Sequence, residues 1–377
     1  NGVEQLKENG QISEAEYHSY KAQGEIFRAL MMFRMARLWG SFPVITTIAK
    51  TITSENINEV YPTYYPPRKT PKECYEQIIA DLTDAEQYAP DNDNSDRTKM
   101  TKTVAQAMLA KVYAEKEVQD YDKVIAYADK VMNTTGVELE DSYETLWGYD
   151  ETAIDCMKRN TKEGILEVHW SGGGNWETWM YGRQLDNWDY YFTWAKWITP
   201  SRDIINDFDK EGDEVRKNQA IVYYACTWSN YYPASNYPFM YKLRSSYNNI
   251  YWVRLADIIL MKAEAEAYKG NLAESAKLVN QIRKRAKLKE LTSDKTGSKE
   301  SMIEAVLHER RLELAFEGER WFDLCRNNKV EQYLNGIDNR DSGRIRQVKQ
   351  FDSNSYLLPI PQTALDQNTN LEQNPGY

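Results

Sequence analysis

The sequence predicts a mostly α protein, a tetratricopeptide-like helical-repeat scaffold carrying one large loop-rich insertion. Three observations predict it. Alanine-rich stripes at 3–4 spacing recur in two helix–turn–helix pairs, one near residues 103–132 and one near 253–286. Capping signals stand in front of other periodic segments. Between the two pairs lies a long insertion over residues 134–251, and a loop that long inside a compact domain is usually functional.

The first element runs from Ser13 to Leu38. Ser13 and Glu16 fit a capping box, and Gly40 with Pro43 supplies the stop. The pattern then dissolves until Thr70-Pro71-Lys72-Glu73, which combines a cap, a proline at the first helical position and a reciprocal glutamate. Tyr75, Ile78, Leu82 and Ala85 follow on one face, and Pro90 ends the helix. Helices over 103–117 and 122–132 form the first pair, with Ala105, Ala110, Ala114, Ala126 and Ala128 at the close-packing seam. Val253, Ala256, Leu260, Ala263 and Ala267 stripe the first helix of the second pair, and Gly270-Asn271 turns into Leu272, Ala276, Val279, Ile282 and Ala286. A strand over 165–170 and a helix over 201–208 punctuate the insertion. One last helix is expected from Lys299 to Arg326, with Glu309, Glu313 and Glu317 four apart on one face. Carboxylates so placed point the same way and do not flank a substrate, which favours an ion-pair network over a catalytic pair.

Residues 169–197 hold six of the eleven tryptophans, four more aromatics and three consecutive glycines. Triple glycine carries an entropy cost that a regular element avoids. Flat rings mixed with planar hydrogen-bonding side chains suit a polyhydroxylated ligand, because a ring stacks on the C–H face of a sugar while amides and carboxylates take the hydroxyls. The candidate stacking platforms are Trp176, Trp179, Trp188 and Trp194, and the candidate polar readers are Asn175, Arg183, Asp186 and Asn187. Tyr64, from the proline-rich 61–68 loop, and Tyr231 and Tyr232, from a second aromatic block, complete a possible rim. The competing reading is an aromatic satellite core beneath a long loop.

Composition narrows the function. The net charge of −10 argues against a nucleic-acid or anionic-membrane surface. Neither a membrane-length apolar run nor a phosphate loop, nucleophile elbow or dinucleotide fingerprint occurs, and three scattered histidines do not form a zinc motif, so no cofactor or metal is expected. Asp91 to Arg97 lacks the Gly and Glu of a calcium loop and reads as a solvated linker. Four scattered cysteines do not make a disulfide scaffold.

Several stretches converge on one family. GEIFRALMMFRMARLWGSFPVIT (Gly24 to Thr46), RKTPKECYEQIIADLTDAEQYAP (Arg68 to Pro90), VRLADIILMKAEAEAYKG (Val253 to Gly270), NQIRKRA (Asn280 to Ala286), ERRLELAFEGERWFDLCR (Glu309 to Arg326) and YLLPIPQTALDQNTNLEQNPGY (Tyr356 to Tyr377) resemble, in order and spacing, the blocks of SusD/RagB-like proteins. Ser41-Phe42 and Ala364 depart from the usual residues. The resemblance implies an α/α superhelix as a single SusD-like domain over 1–377. Within it lie a helical scaffold over 11–133, the aromatic insertion over 134–251 and a helical region over 252–377. It also implies a surface-exposed lipoprotein of the outer membrane, held by a lipid anchor on a further N-terminal stretch, that captures glycan and passes it to a SusC-like TonB-dependent transporter. The family's ligand residues vary, so the site residues rest on the aromatic argument. A RagB-type peptide receptor and, behind it, an α-helical glycoside hydrolase using carboxylates such as Glu177 and Asp186 are the alternatives.

Overall fold

The computed structural model describes residues 2–377 apart from 151, 154, 171–198, 229–231, 246 and 342–348. It forms two compact units. One comprises residues 1–92, 100–120 and 351–377, and the other residues 93–99 and 121–350. These boundaries are drawn differently from the three consecutive sequence segments, because the C-terminal stretch belongs to the first unit.

In the first unit the helices are α1 (Gly2–Glu8), α2 (Glu14–Trp39), α3 (Pro71–Tyr88) and α4 (Lys102–Ala114). Both expected capping boxes are present: Ser13 and Thr70 accept from the backbone of Glu16 and Glu73, whose carboxylates accept in return. α2 packs on α3 and α3 on α4. The α2–α3 seam buries Ile26, Ala29, Phe33, Ile78 and Leu82 and is locked by Arg28, whose guanidinium donates to both oxygens of buried Asp81 at 2.7 Å. The C-terminal stretch closes this unit. Asn374 donates to the carbonyls of Trp39 and Leu358 and accepts from Arg68, which also donates to Trp39 and Glu372.

The second unit is centred on α7 (Leu255–Lys269). Around it stand α5 (Tyr121–Met132), α8 (Leu272–Arg285) and α9 (Lys299–Glu313), with α6 (Arg202–Glu211) against α9 and α10 (Arg320–Arg326) beyond it. Residues 255–267 of α7 are all buried, as expected of a helix surrounded on every side. Its charges are therefore all partnered: Asp257 with Arg310, Lys262 with Asp129, Glu264 with Arg326, and Glu266 with Asn271. Besides a two-residue ladder between Tyr149–Asp150 and Asp155–Cys156, two longer antiparallel ladders are present among the described residues. β1 (Gly164–His169) pairs with β4 (Asn249–Arg254), and β2 (Ile221–Tyr224) pairs with β3 (Tyr237–Met240).

Two expectations change. The Lys299–Arg326 helix is two helices, broken over residues 314–319. The carbonyl of Glu313 accepts from the Tyr143 hydroxyl, the Lys242 ammonium and the Arg254 guanidinium, which draws it out of the helical ladder. Phe316 and Gly318 then take φ of 65° and 85° to turn the chain. Likewise the solvated linker extends over Asp91–Asp96 only, each residue exposed or half-buried, and stops short of Arg97. Arg97 is 2 % exposed and donates to the carbonyls of Thr161 and Gly136.

The glutamates of the last helices form an ion-pair network. Glu309 meets Arg216 and Arg283, Glu313 meets Arg216, Arg254 and Arg285, and Glu317 meets Arg254 and Lys242. Glu309 and Glu313 have no solvent exposure, so neither is presented to a substrate. Among the described residues no group of His, Cys, Asp or Glu could hold a metal ion, no helix is long and apolar enough to cross a membrane, and all four cysteines are free.

Candidate functional site

Trp176, Trp179, Trp188, Trp194, Asn175, Arg183, Asp186 and Asn187, together with Tyr231, lie outside the described residues. What the structure describes is the frame from which residues 171–198 leave and to which they return.

The departure point is the end of β1. Register shifts between Gly164 and Leu166, and again between Leu166 and Glu167, mark a bulge in the β1–β4 pairing. Bulges re-aim side chains, and here the Glu167 carboxylate turns back over Gly164. A Cβ at Gly164 would meet Glu167 Oε1 at 2.1 Å, so this close approach requires glycine. Glu167 is 1 % exposed and accepts from the backbone amides of Asn160 and Thr161, from the Thr161 hydroxyl, and lies 2.8 Å from His169 Nε2. Just beyond, Trp170 donates its amide to the Asn248 carbonyl. Arg159 clamps the exit: Nη2 donates to the carbonyl of Trp170 at 2.5 Å and of Tyr247 at 3.3 Å, while Asp155 holds the same guanidinium at 2.6 Å.

The return point is Thr199-Pro200, just before the Ser201 cap of α6. Thr199 Oγ1 lies 3.0 Å from the Tyr237 hydroxyl, and Pro200 is buried with its carbonyl accepting from the Tyr232 hydroxyl at 2.9 Å. The Arg202 guanidinium lies over the Tyr232 ring, 4.2 Å from its centroid. Both ends of the aromatic stretch are thus tied to the second unit by hydrogen bonds of the main chain.

The two described rim candidates fall in different settings. Tyr232 is 9 % exposed and belongs to an apolar cluster with Phe208, Tyr237 and Phe239. The structure corrects its expected place on the rim: its hydroxyl and one ring face are used by Pro200 and Arg202, so it supports the return point instead of presenting a stacking face. Tyr64 lies in the first unit, 45 % exposed, with its hydroxyl donating to the Lys50 carbonyl. Tyr61, 51 % exposed, stands beside it in sequence and packs on Tyr65. A half-exposed ring tethered by its hydroxyl keeps part of its surface for stacking at low entropic cost. Sequence reading missed the frame residues Arg159, Glu167 and Arg202. Only the Asp155–Arg159 spacing hints at an ion pair, and the carbonyls that Arg159 holds are far away in sequence.

Comparison with known proteins bears on the fold and family. The model described as "SusD family" matches residues 88–377, and one described as "Starch-binding associating with outer membrane" matches residues 2–114. SusD-like protein P2 of Formosa agariphila is 28 % identical over 97 % of this chain and 75 % of its own length. A SusD-like protein of Bacteroides ovatus is 25 % identical over 86 % of this chain, which spans 61 % of that relative. Among solved structures, a SusD superfamily protein from Parabacteroides distasonis has a TM-score of 0.76 at 24 % identity, over all of this chain and 83 % of its own. A laminarin-binding SusD-like protein has a TM-score of 0.71 at 23 % identity, over 97 % of this chain and 80 % of that one. The helical scaffold, the buried charge network and a match covering most of the sequence lead to one assignment: this chain belongs to the SusD family.

Proposed function

We propose that the protein is a non-catalytic glycan-binding protein of the outer-membrane surface that captures oligosaccharide and delivers it to a SusC-like TonB-dependent transporter. The observation that carries the reading is the concentration of tryptophan in a segment whose two ends, Trp170 and Thr199-Pro200, are tied to a rigid frame. Family membership and the likeness in fold to a laminarin-binding SusD-like protein support the ligand class. Trp176, Trp179, Trp188 and Trp194 act as stacking platforms, and Asn175, Arg183, Asp186 and Asn187 read the hydroxyls. Tyr64 contributes a half-exposed ring, and Tyr231 is retained as a rim residue. Each platform contributes about 1–3 kcal/mol, by analogy with base stacking. Two or three give affinities of roughly micromolar to millimolar, weak enough for release to a transporter.

Affinity electrophoresis on a panel of native polysaccharides tests the reading. Retardation on at least one neutral polymer is expected, and Trp176→Ala or Trp179→Ala should weaken it by about tenfold with the melting temperature unchanged. Retention by peptide ligands instead, with no retardation on any polysaccharide, would favour the RagB-type alternative. Release of new reducing ends from bound oligosaccharide would contradict the non-catalytic assignment.

A further inference from the structure

A cavity of about 900 Å³ runs along α6, α8, α9 and the connection that follows α8, and a second of about 310 Å³ adjoins it, sharing Asp207, Lys210, His308 and Tyr333. Its lining, among the described residues, belongs wholly to the second unit. Its size is that of a small-molecule site. The combined walls carry eight lysine and arginine side chains against six carboxylates, in a chain whose net charge is −10.

The balance of free charge is more uneven than these totals. Asp203 is taken by Arg311 and Arg340, Asp207 by Arg311, Glu211 by Arg283 and His308, and Glu304 by Lys329 and Tyr333. Asp294 accepts from the Thr292 hydroxyl at the start of its short helix. Among the described residues, Glu290 and Asp294 are the lining carboxylates without an ion-paired cation. Against them stand the exposed Lys210, Lys287, Lys289 and Lys295, whose ammonium groups have no hydrogen-bonded or ion-paired carboxylate among the described residues. Arg320 adds a half-buried guanidinium that donates to the Leu307 carbonyl and lies over the Tyr333 ring. Burial, with Arg311 beside it, holds the pKa of Arg320 below its ordinary value.

A second observation concerns Lys287. It follows the end of α8 with φ of 58°, its amide bonded to the Lys284 carbonyl and the next amide to that of Arg283. That closure is the place where glycine is the low-cost residue, and a side chain with a Cβ is disfavoured there. Lys287 is an exposed residue of the cavity wall that holds the conformation of a glycine, and its ammonium has no carboxylate partner among the described residues. A backbone outlier at a cavity wall is a starting point for a functional hypothesis.

We propose that this cavity binds an anionic segment of a sugar chain, one bearing carboxylate or sulfate-ester groups, through Lys210, Lys287 and Lys289 with Arg320 at its end. Lysine and arginine recognise such groups by charge-assisted hydrogen bonds. The overall negative charge disfavours long polyanions at a distance, so the cavity takes a short stretch. That the anion is carried on a sugar rests on the proposed function; that the cavity binds anions does not.

The test uses trigalacturonate, with maltotriose as the neutral control and inorganic sulfate as the free anion, in calorimetric titrations of the whole chain at low and high salt. Trigalacturonate should bind more tightly than sulfate, and its binding should weaken as salt rises. Lys287→Gly should weaken it about threefold to tenfold with the melting temperature unchanged or higher, because the backbone strain is relieved. Adding Lys210→Gln and Lys289→Gln should abolish it. Equal binding by wild type and the triple variant, no trigalacturonate binding at all, or sulfate binding without any preference for the acidic sugar would each overturn the proposal. The triple lysine variant should keep full retardation on neutral polysaccharide, so failure of the aromatic reading and failure of this one are separable.

Discussion

Arg254 is the residue whose removal should be felt most. It ends β4 with 1 % exposure and makes five hydrogen bonds: to both oxygens of Glu317 at 2.7 and 2.8 Å, to Glu163 at 2.7 Å, to the Glu313 carboxylate at 2.6 Å and to the Glu313 carbonyl at 2.8 Å. Counted separately at about 1.5–3 kcal/mol each, these bonds sum to roughly 8–15 kcal/mol. That total is too large, because every carboxylate keeps a second cation. Glu163 retains Arg285, Glu313 retains Arg285 and Arg216, and Glu317 retains Lys242. The fitting comparison is a buried pair that loses one member, which costs about 3–5 kcal/mol. Arg254→Met should therefore lower the urea midpoint by about 1 M or more at a constant slope. The shift should be read by tryptophan fluorescence and by circular dichroism, so that loss of two-state behaviour would be seen. Arg254→Lys keeps the charge but not the fork and should fall between the two. A loss of less than about 1 kcal/mol for Arg254→Met would refute the reasoning, since it would mean that the network's desolvation cost already cancels its attraction.

The same cluster carries a pH signature. Burial brings the Lys242 ammonium down to about 8 from 10.5. The unfolded chain holds this proton more tightly, so unfolding between those values takes up a proton and stability rises with pH across that window. The gain is at most about 3 kcal/mol. Lys242→Met should lack it, and the difference between the two pH profiles isolates it. Gly164→Ala should cost about 2 kcal/mol or more in a melting experiment, because its methyl meets a buried Glu167 held by four partners. Thr70→Ala removes one half of a capping box and should cost about 1 kcal/mol.

Where a signal is local, the sequence was readable. Ser13 and Thr70 cap helices because a side chain three residues from its partner needs nothing else, and the stripes of α7 and α8 report helix faces directly. The break after Glu313 was not readable, since Tyr143, Lys242 and Arg254 reach its carbonyl from distant parts of the chain. Arg97 was misjudged for the same reason: the run of Asp and Asn before it is solvated as expected, and the carbonyls of Gly136 and Thr161 that bury Arg97 lie far off in sequence. Of the candidate site, the anchoring of its segment could not be foreseen. Spacing alone does not separate a tyrosine that supports a turn, such as Tyr232, from one with a half-exposed ring, such as Tyr64, because burial of Tyr232 depends on Pro200 and Arg202.

The way the C-terminal stretch returns to Trp39 and Arg68 sets an order of events during synthesis. Residues 121–350 of the second unit emerge from the ribosome as one run, needing only the short 93–99 piece made just before them. The first unit has its opening helices made early, yet Asn374 reaches Trp39 across 335 positions of sequence. Contacts of such separation form late and slowly. Until residues 351–377 are made, the α2 end lacks Ile360, Pro361 and Leu371, which share one apolar surface pocket with Met35, Trp39 and Phe42 in the finished unit. Deletion of residues 351–377 should leave this surface open to aggregation while the second unit, with its buried charges, is already complete.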